Sequence, residues 1–240
     1  MWLSKGLADG VRTTGYPRRA DMSEGMVPGR PVGTLGTVAL IDVCPTGALF
    51  DDQGAVGVDL GRCIHCMRCR QGTGIGIKWA HDVAWAQVDP WTRLPGASFR
   101  HSLHVKVVDA GDCGACLREI KQLTSPYYAV HRLGIFFTPT PRDADVLMVV
   151  GVVTQGMRHA LQATYDALPD PKWVVAVGSE AVTGVPFGPS FAASGGVQDL
   201  LPVALTIPGC PPPPLTILDG LLRLMGRGHR EPVDAGRVTA

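Results

Sequence analysis

The sequence lacks both an excess of one charge and a long apolar run. Its 240 residues include 22 lysines and arginines against 21 aspartates and glutamates, a formal net charge of +1 at pH 7. Because the sequence has no excess of positive charge, nucleic acid is not an expected partner. Mean hydropathy is high at +0.14, yet the longest apolar stretches, such as residues 146–153, fall far short of the roughly 20 residues that a membrane span needs. The surplus apolar surface is therefore expected to contact other subunits.

A secretion signal is also missing, because residues 1–14 contain no apolar core and run into a Tyr-Pro-Arg-Arg segment. We therefore expect a cytoplasmic, reducing location. Disulfides are a poor explanation of the seven cysteines in that compartment. Thiolates suit iron-sulfur clusters and zinc alike, so the spacing of the cysteines has to separate the two.

Four cysteines follow part of the bacterial ferredoxin pattern. Cys63, Cys66 and Cys69 form Cys-x-x-Cys-x-x-Cys, and the isolated Cys44 is followed by a proline. In ferredoxins the run is Cys-x2-Cys-x2-Cys-x3-Cys-Pro, and the fourth cysteine of each run binds the cluster of the other run. Cys44 therefore matches the last cysteine of a first run and would share a cluster with the three cysteines of the second.

The other ferredoxin positions have lost their cysteines. Counting back from Cys44, the first run holds Thr34, Thr37 and Leu40, and the second run ends at Thr73. The lost residues all belong to one cluster and the retained ones to its neighbour. The pattern predicts one [4Fe-4S] cluster at Cys44, Cys63, Cys66 and Cys69.

A structural zinc site is the alternative for these four cysteines, although zinc sites usually pair two Cys-x-x-Cys hairpins. His65 lies within the loop, where we expect a solvated spacer rather than a ligand.

Four segments are expected along the chain. Residues 1–33 have weak periodicity and suggest an extended arm lying on a partner, with a disordered terminus as the alternative. Residues 34–95 form a ferredoxin-like domain of short strands and turns, which ends in a proline-containing linker. Residues 101–226 form an α/β domain, and residues 227–240 a flexible tail.

The second domain alternates strands with helices, which predicts a doubly wound, flavodoxin-like parallel sheet. The helical pattern of Leu117, Ile120 and Leu123 predicts a short helix after the first strand, and Thr154 is expected to cap a longer one. The expected strands cover residues 103–109, 146–153, 173–177 and 203–207, and the expected longer helices cover residues 154–168 and 215–225.

Three loops of this domain carry residues with cluster chemistry. Cys113 and Cys116 follow the first strand, Ser179 and Glu180 follow residues 173–177, and Cys210 follows residues 203–207. In open α/β sheets, sites form beyond the carboxyl ends of strands, so these side chains should meet. Three cysteines are one short of the usual four protein ligands, and Glu180 is the candidate fourth ligand. An exposed loop glutamate is the alternative for it.

These residues carry a family resemblance. Residues 101–225 resemble the 20 kDa small-subunit family shared by respiratory complex I and energy-converting, formate hydrogenlyase-type nickel-iron hydrogenases. The matching stretches are DAGDCGAC at residues 109–116, PKWVVAVG at 171–178 and IPGCPP at 207–212. Glu180 stands where the family has its third cluster cysteine, so the second cluster could be [4Fe-4S] or [3Fe-4S]. The resemblance also implies that Glu119 is an acidic residue near the cluster, with a helix N-terminal carboxylate as the alternative.

The segment from residue 10 through Cys69 is similar to the two-cluster ferredoxin-like subunit that accompanies such small subunits, here fused and reduced to one cluster. The resemblance implies a large catalytic subunit, membrane-arm subunits and an upstream ferredoxin-like or dehydrogenase donor as partners. It also implies a peripheral place on the cytoplasmic face of the inner membrane.

The expected function is that of an electron-transfer subunit of a hydrogenase-type or hydrogenase-related complex. No catalytic residue is expected, because nothing in the sequence assembles a nucleophile, a base and an oxyanion site. The alternatives are a quinone-reducing relay, an assembly scaffold that keeps only the N-terminal cluster, and a zinc-binding regulator.

Overall fold

The computed structural model describes residues 2–21, 29–33, 38–71 and 77–228. Three of the lost ferredoxin positions, Thr34, Thr37 and Thr73, lie outside these residues. The predicted flexible tail also lies outside them from residue 229 onward.

The main architectural unit is a six-stranded sheet. Its order is β5-β10-β9-β8-β6-β7, and all neighbours are parallel except β5, which runs antiparallel to β10. Two small sheets pair β1 with β4 and β2 with β3. The strands are β1 (Arg30–Pro31), β2 (Leu49–Asp52), β3 (Ala55–Val58), β4 (Trp79–Ala80), β5 (Gln87–Val88), β6 (Leu103–Asp109), β7 (Ile135–Phe137), β8 (Val146–Val150), β9 (Trp173–Val177) and β10 (Val203–Ile207).

Both faces of the central sheet are buried, as expected for parallel strands. Alternate residues of β8 enter the two main cores: Met148 lies in one with Ile207, and Leu147 lies in the other with Leu161. The helices are α1 (Trp2–Asp9), α2 (Arg68–Gln71), α3 (Ala115–Gln122), α4 (Gln155–Asp166), α5 (Ser179–Thr183) and α6 (Pro214–Leu224). The predicted α/β class with a largely parallel sheet is confirmed.

The structure differs from the predictions at the end of strand β8 and in the capping of helix α4. Strand β8 ends at Val150 rather than residue 153, because the φ of +79° at Gly151 turns the chain out of the strand. Glycine is needed at this turn, since a side chain there would strike the backbone of Asp112. Thr154 stands at the N-cap of α4 as predicted, but it does not cap the helix through its side chain. Its hydroxyl instead donates to the carbonyl of Ala110 at 3.1 Å, which ties α4 to the end of β6.

The N-terminal arm differs from the predicted extended arm on a partner. It begins with helix α1 and then crosses the chain's own α/β core. Tyr16 is 1% exposed and lies within that core. Arg132 donates to the carbonyls of Thr14 and Tyr16 at 2.7 and 2.8 Å, which anchors the arm to the loop before β7.

A small module carries the cysteine-rich loop. Its hairpin of β2 and β3 follows a 3-10 helix, Val38–Val43. Leu49, Val56 and Ile77 form its core, which Cys44 and Cys69 also touch. The module ends earlier than the predicted boundary at residue 95, because β5 already belongs to the large sheet.

Among the described residues, no helix combines the length and the apolar character that crossing a membrane requires.

Candidate metal centres

The four N-terminal cysteines surround one cavity. Cys44 reaches it from the turn before β2, Cys63 and Cys66 come from the loop after β3, and Cys69 comes from α2. His65 and Met67 have φ values of +51° and +62°. These left-handed residues turn the loop back on itself, so that its three cysteines face the turn that carries Cys44. We call this site the N-terminal centre.

Hydrogen bonds from the backbone prepare Cys44 to carry negative charge. The N–H of Ala48 donates to its sulfur at 3.2 Å, and the Thr46 hydroxyl lies 3.6 Å from it. Burial raises the pKa of Cys44, but the hydrogen bonds from Thr46, Ala48 and Leu49 outweigh burial and leave the pKa lowered. Donors aimed at sulfur are also a means by which proteins set the potential of an iron-sulfur cluster.

Cys63 shows the opposite balance. Burial raises its pKa to about 11, and the negative charges of Cys69, Cys44 and Cys66 add to the effect. Four thiolates this close repel one another unless a cation lies between them. The donor set therefore fits a cationic group bound by four thiolates.

His65 is not the solvated spacer that we predicted. Its ring stacks on Trp85 with centroids 4.9 Å apart and meets the edge of Trp79 at 6.1 Å. Both ring nitrogens are buried and lack a hydrogen-bond partner among the described residues, and burial lowers the pKa of the ring. Because Trp85 belongs to the α/β core, His65 packs the N-terminal centre against the larger domain.

A second set of residues meets at the carboxyl edge of the sheet. The segments after β6, β9 and β10 carry the side chains that the sequence predicted to converge: Cys113 in a loop, Cys116 on α3, Glu180 on α5 and Cys210 in a loop. Burial is the main cause of the raised pKa of Cys210, and the charges of Glu180, Cys113 and Asp112 raise it further. We call this site the second centre.

Asp112 is a member of the second centre that sequence reasoning missed. A carboxylate oxygen of Asp112, the Cys113 sulfur and a carboxylate oxygen of Glu180 lie within 4.8 Å of one another. Glu180 is only 5% exposed. Burial and the charge of Asp112 raise its pKa, while hydrogen bonds from Cys113 oppose that rise. The alternative that Glu180 is an exposed loop residue is therefore wrong. The role of Glu180 as a ligand stays a prediction.

Cys116 occupies a space that exists because residue 178 is glycine. A Cβ on Gly178 would lie 2.5 Å from the Cys116 sulfur, and Gly178 has a φ of +90°. Cys116 is 3% exposed. Burial raises the pKa of its thiol, and the charge of Asp112 adds to that rise. The second centre therefore also fits a bound cationic group, with three sulfur donors and carboxylate oxygen in place of the fourth.

Alanine in place of Gly178 is expected to displace Cys116 and to remove the iron of the second centre. Gly188→Ala is the matched control, because Gly188 also has a positive φ, +67°, but a Cβ there meets nothing within 4 Å. Gly178 combines a φ of +90° with a ψ of 151°, a conformation essentially restricted to glycine, so alanine there adds backbone strain to the collision. Retained iron in Gly188→Ala would show that a positive-φ alanine elsewhere does not by itself empty the centre. Equal iron content in the two variants would contradict this account of Gly178.

Helix α5 joins the two centres. The Ser179 hydroxyl donates to the carbonyl of Cys63 at 2.8 Å, and the Thr183 hydroxyl donates to the carbonyl of Gly61 at 2.9 Å. The backbone of Gly61 lies close against α5, since a Cβ there would come within 3.1 Å of Val182 and Thr183. Glu180 immediately follows Ser179. One five-residue helix thus contacts the backbone of one centre and supplies a side chain to the other.

Glu119 lies outside the group formed by Asp112, Cys113 and Glu180. It is half-buried on α3, where burial raises its pKa. Its charge contributes to raising the pKa of Tyr128. The role near the cluster that the resemblance implies for Glu119 remains a prediction.

Known proteins are similar to this chain mainly over its second domain. Residues 113–224 match the family described as NADH ubiquinone oxidoreductase, 20 Kd subunit. A chain of the membrane-bound sulfane sulfur reductase, an archaeal respiratory membrane complex, is 31% identical over 54% of this chain and 71% of its own length, with a TM-score of 0.48. This chain belongs to the NADH ubiquinone oxidoreductase 20 kDa subunit family. It is thus an electron-transfer subunit of the hydrogenase and complex I type.

Two hydrogenase structures are more distant. A chain of an NAD+-reducing [NiFe]-hydrogenase is 17% identical over 57% of this chain and 99% of its own, with a TM-score of 0.43. A chain of the [NiFeSe] hydrogenase from Desulfovibrio vulgaris Hildenborough is 20% identical over 47% of this chain and 56% of its own, with a TM-score of 0.37.

Proposed function

We propose that this chain relays electrons between an iron-sulfur cluster at the N-terminal centre and a second one at Cys113, Cys116, Glu180 and Cys210. The hydrogen bond from Ser179 to the carbonyl of Cys63 is the observation that carries the proposal. It connects the backbone of a predicted ligand of one centre with the residue next to a predicted ligand of the other.

Iron-sulfur clusters bound at the two centres would supply one-electron redox chemistry. The chain's own residues fix how the two centres communicate. Ser179 is 1% exposed, and its N–H donates to the carbonyl of Gly209 at 2.9 Å. Ser179 is therefore held by backbone carbonyls on both sides and is shielded from solvent.

The partners are proposed from the family. A large catalytic subunit would receive or supply electrons at the second centre, and a ferredoxin-like or dehydrogenase donor would exchange them with the N-terminal centre. We also propose peripheral attachment to membrane-arm subunits on the cytoplasmic face. Kinship with a subunit of an archaeal respiratory membrane complex supports that attachment. The large subunit would decide whether the complex uses hydrogen, quinone or another substrate.

The alanine variant of Ser179 is expected to slow electron exchange between the centres several-fold. The change removes the hydroxyl that bridges to Cys63 but removes no predicted ligand. Iron content and both midpoint potentials should therefore stay close to those of the wild type. Rapid freeze-quench electron paramagnetic resonance after a reductant pulse would follow the filling of each centre.

Two further variants separate electron exchange from stability. Ser179→Thr keeps the hydroxyl and should restore the wild-type rate. Thr183→Val removes a hydrogen bond of similar length from the same helix, at a similar cost of about 1 kcal/mol, yet should leave the rate unchanged. If the Thr183 variant slowed exchange as much as Ser179→Ala, the relay would not depend on the bond to Cys63.

A further inference from the structure

Two buried carboxylate oxygens at the second centre have no hydrogen-bond partner among the described residues: Asp112 Oδ1 and Glu180 Oε2. An unpaired buried carboxylate oxygen is costly, so each such atom in a native structure calls for an explanation. The explanation has to account for both atoms together, because a carboxylate oxygen of each residue and the Cys113 sulfur lie within 4.8 Å of one another.

Asp112 is held in place by backbone bonds that use only one of its oxygens. Oδ2 accepts from the N–H groups of Gly114 at 3.0 Å and Leu117 at 3.1 Å. Asp109 in turn accepts from the N–H of Asp112 at 2.7 Å. The turn that leads into α3 therefore fixes the Asp112 carboxylate and leaves its Oδ1 unpaired.

Donor atoms within 4.8 Å of one another are close enough to bind a single ion, because metal–oxygen and metal–sulfur bonds are about 2.0–2.3 Å long. Carboxylates are harder donors than thiolates and prefer harder divalent cations. A metal bound mainly by oxygen at this corner would differ from the three irons that Cys113, Cys116 and Cys210 would bind through sulfur.

We propose that Asp112 and Glu180 together bind an exchangeable divalent metal, which forms the fourth corner of the cluster at the second centre. The inference rests on the proposed function, since it requires a cluster bound by the three cysteines. It adds Asp112 as a ligand and gives the fourth corner a chemistry different from the other three. Fe²⁺ is its natural occupant, and Co²⁺ or Zn²⁺ would replace it.

The exchange balances in atoms and electrons. A [4Fe-4S]²⁺ cluster that gives up Fe²⁺ leaves [3Fe-4S]⁰, with no net oxidation, and the chelator takes up the released ion. Ferricyanide then removes one electron to give [3Fe-4S]⁺, which electron paramagnetic resonance detects. Added Fe²⁺ recombines with [3Fe-4S]⁰ after a reductant has returned that electron.

The test uses the full chain, purified without oxygen and treated with EDTA. The wild type should lose one iron per chain and develop the [3Fe-4S]⁺ signal after oxidation, and Fe²⁺, Co²⁺ or Zn²⁺ should refill the corner. Asp112→Asn should bind the refilling metal at least about 10-fold more weakly, since changing even a residue that only orients a metal ligand costs about 10- to 100-fold in affinity. Glu180→Cys should lose no iron, because thiolate would then bind all four corners.

Glu119→Gln is the matched control, because it neutralises a half-buried acid on α3 that lies outside the group. It should exchange metal as the wild type does. The proposal is overturned if the wild type holds all its iron as firmly as Glu180→Cys, or if Asp112→Asn refills with unchanged affinity. An iron content of about four per chain before chelation would overturn the two-centre relay itself, and the exchangeable corner with it.

Discussion

Alanine in place of Cys69 is expected to empty the N-terminal centre and to remove about four irons per chain. Cys69 lies on α2 and lines the cavity with Cys44, Cys63 and Cys66. Its loss leaves three thiolates for a group that takes four ligands, and the described residues around the cavity offer no carboxylate. The second centre should keep its iron. Metal analysis, combined with electron paramagnetic resonance of the reduced protein, would show which signal disappears.

His65→Phe is the control for that experiment, since His65 is the one imidazole among the described side chains that line the cavity. Phenylalanine keeps an aromatic ring against Trp85, and its left-handed backbone costs about 1–2 kcal/mol. The variant should retain its iron. If His65→Phe lost iron while Cys69→Ala kept all of its iron, the predicted ligand set of the N-terminal centre would be wrong.

Alanine in place of Asp219 is expected to lower the free energy of unfolding by about 3 kcal/mol or more, because it removes two hydrogen bonds to a charged group, each worth about 1.5–3 kcal/mol. Asp219 on α6 has no exposed surface; Tyr16 donates to it, and so does Arg223 Nε at 2.6 Å. Burial raises the pKa of Tyr16, and the charge of Asp219 adds to that effect. The same carboxylate therefore anchors both the N-terminal arm and α6.

Asp9→Ala is the comparison for Asp219→Ala. Asp9 pairs with Arg12 at 2.8 Å, but the side chains are 37% and 75% exposed. Exposed ion pairs contribute about 0–1 kcal/mol to stability, so the unfolding midpoint of this variant should be close to that of the wild type. Urea denaturation of the iron-loaded protein, monitored by circular dichroism, measures the unfolding midpoints of both variants. Similar midpoints for the two variants would contradict the anchoring role of Asp219.

The central strands could be predicted from the sequence because burial on both faces requires nearly continuous apolar residues. Strands β6, β9 and β10 have the predicted bounds. Strands β5 and β7 were missed, since two or three residues at a sheet edge leave no such pattern; Phe136 in β7 is 41% exposed. Their pairing depends on neighbours that are distant in sequence.

The candidate site could be predicted only in part, for a similar reason. Cysteine spacing and the ends of strands identified Cys113, Cys116, Glu180 and Cys210. Asp112 was missed because an aspartate that follows a glycine is typical of any turn. Its free oxygen becomes informative only beside Glu180, 68 positions further along the printed sequence. The bond between Ser179 and Cys63 spans 116 positions, and His65 is buried by tryptophans that no periodicity connects to it.

Anaerobic purification followed by iron, sulfide and zinc analysis tests the two-cluster account most directly. The account predicts a coloured protein with about eight irons per chain, or about seven when the exchangeable corner has emptied, and about eight acid-labile sulfides in either case. A colourless preparation that still assembles with its partner subunits but contains zinc, or no metal, would contradict it.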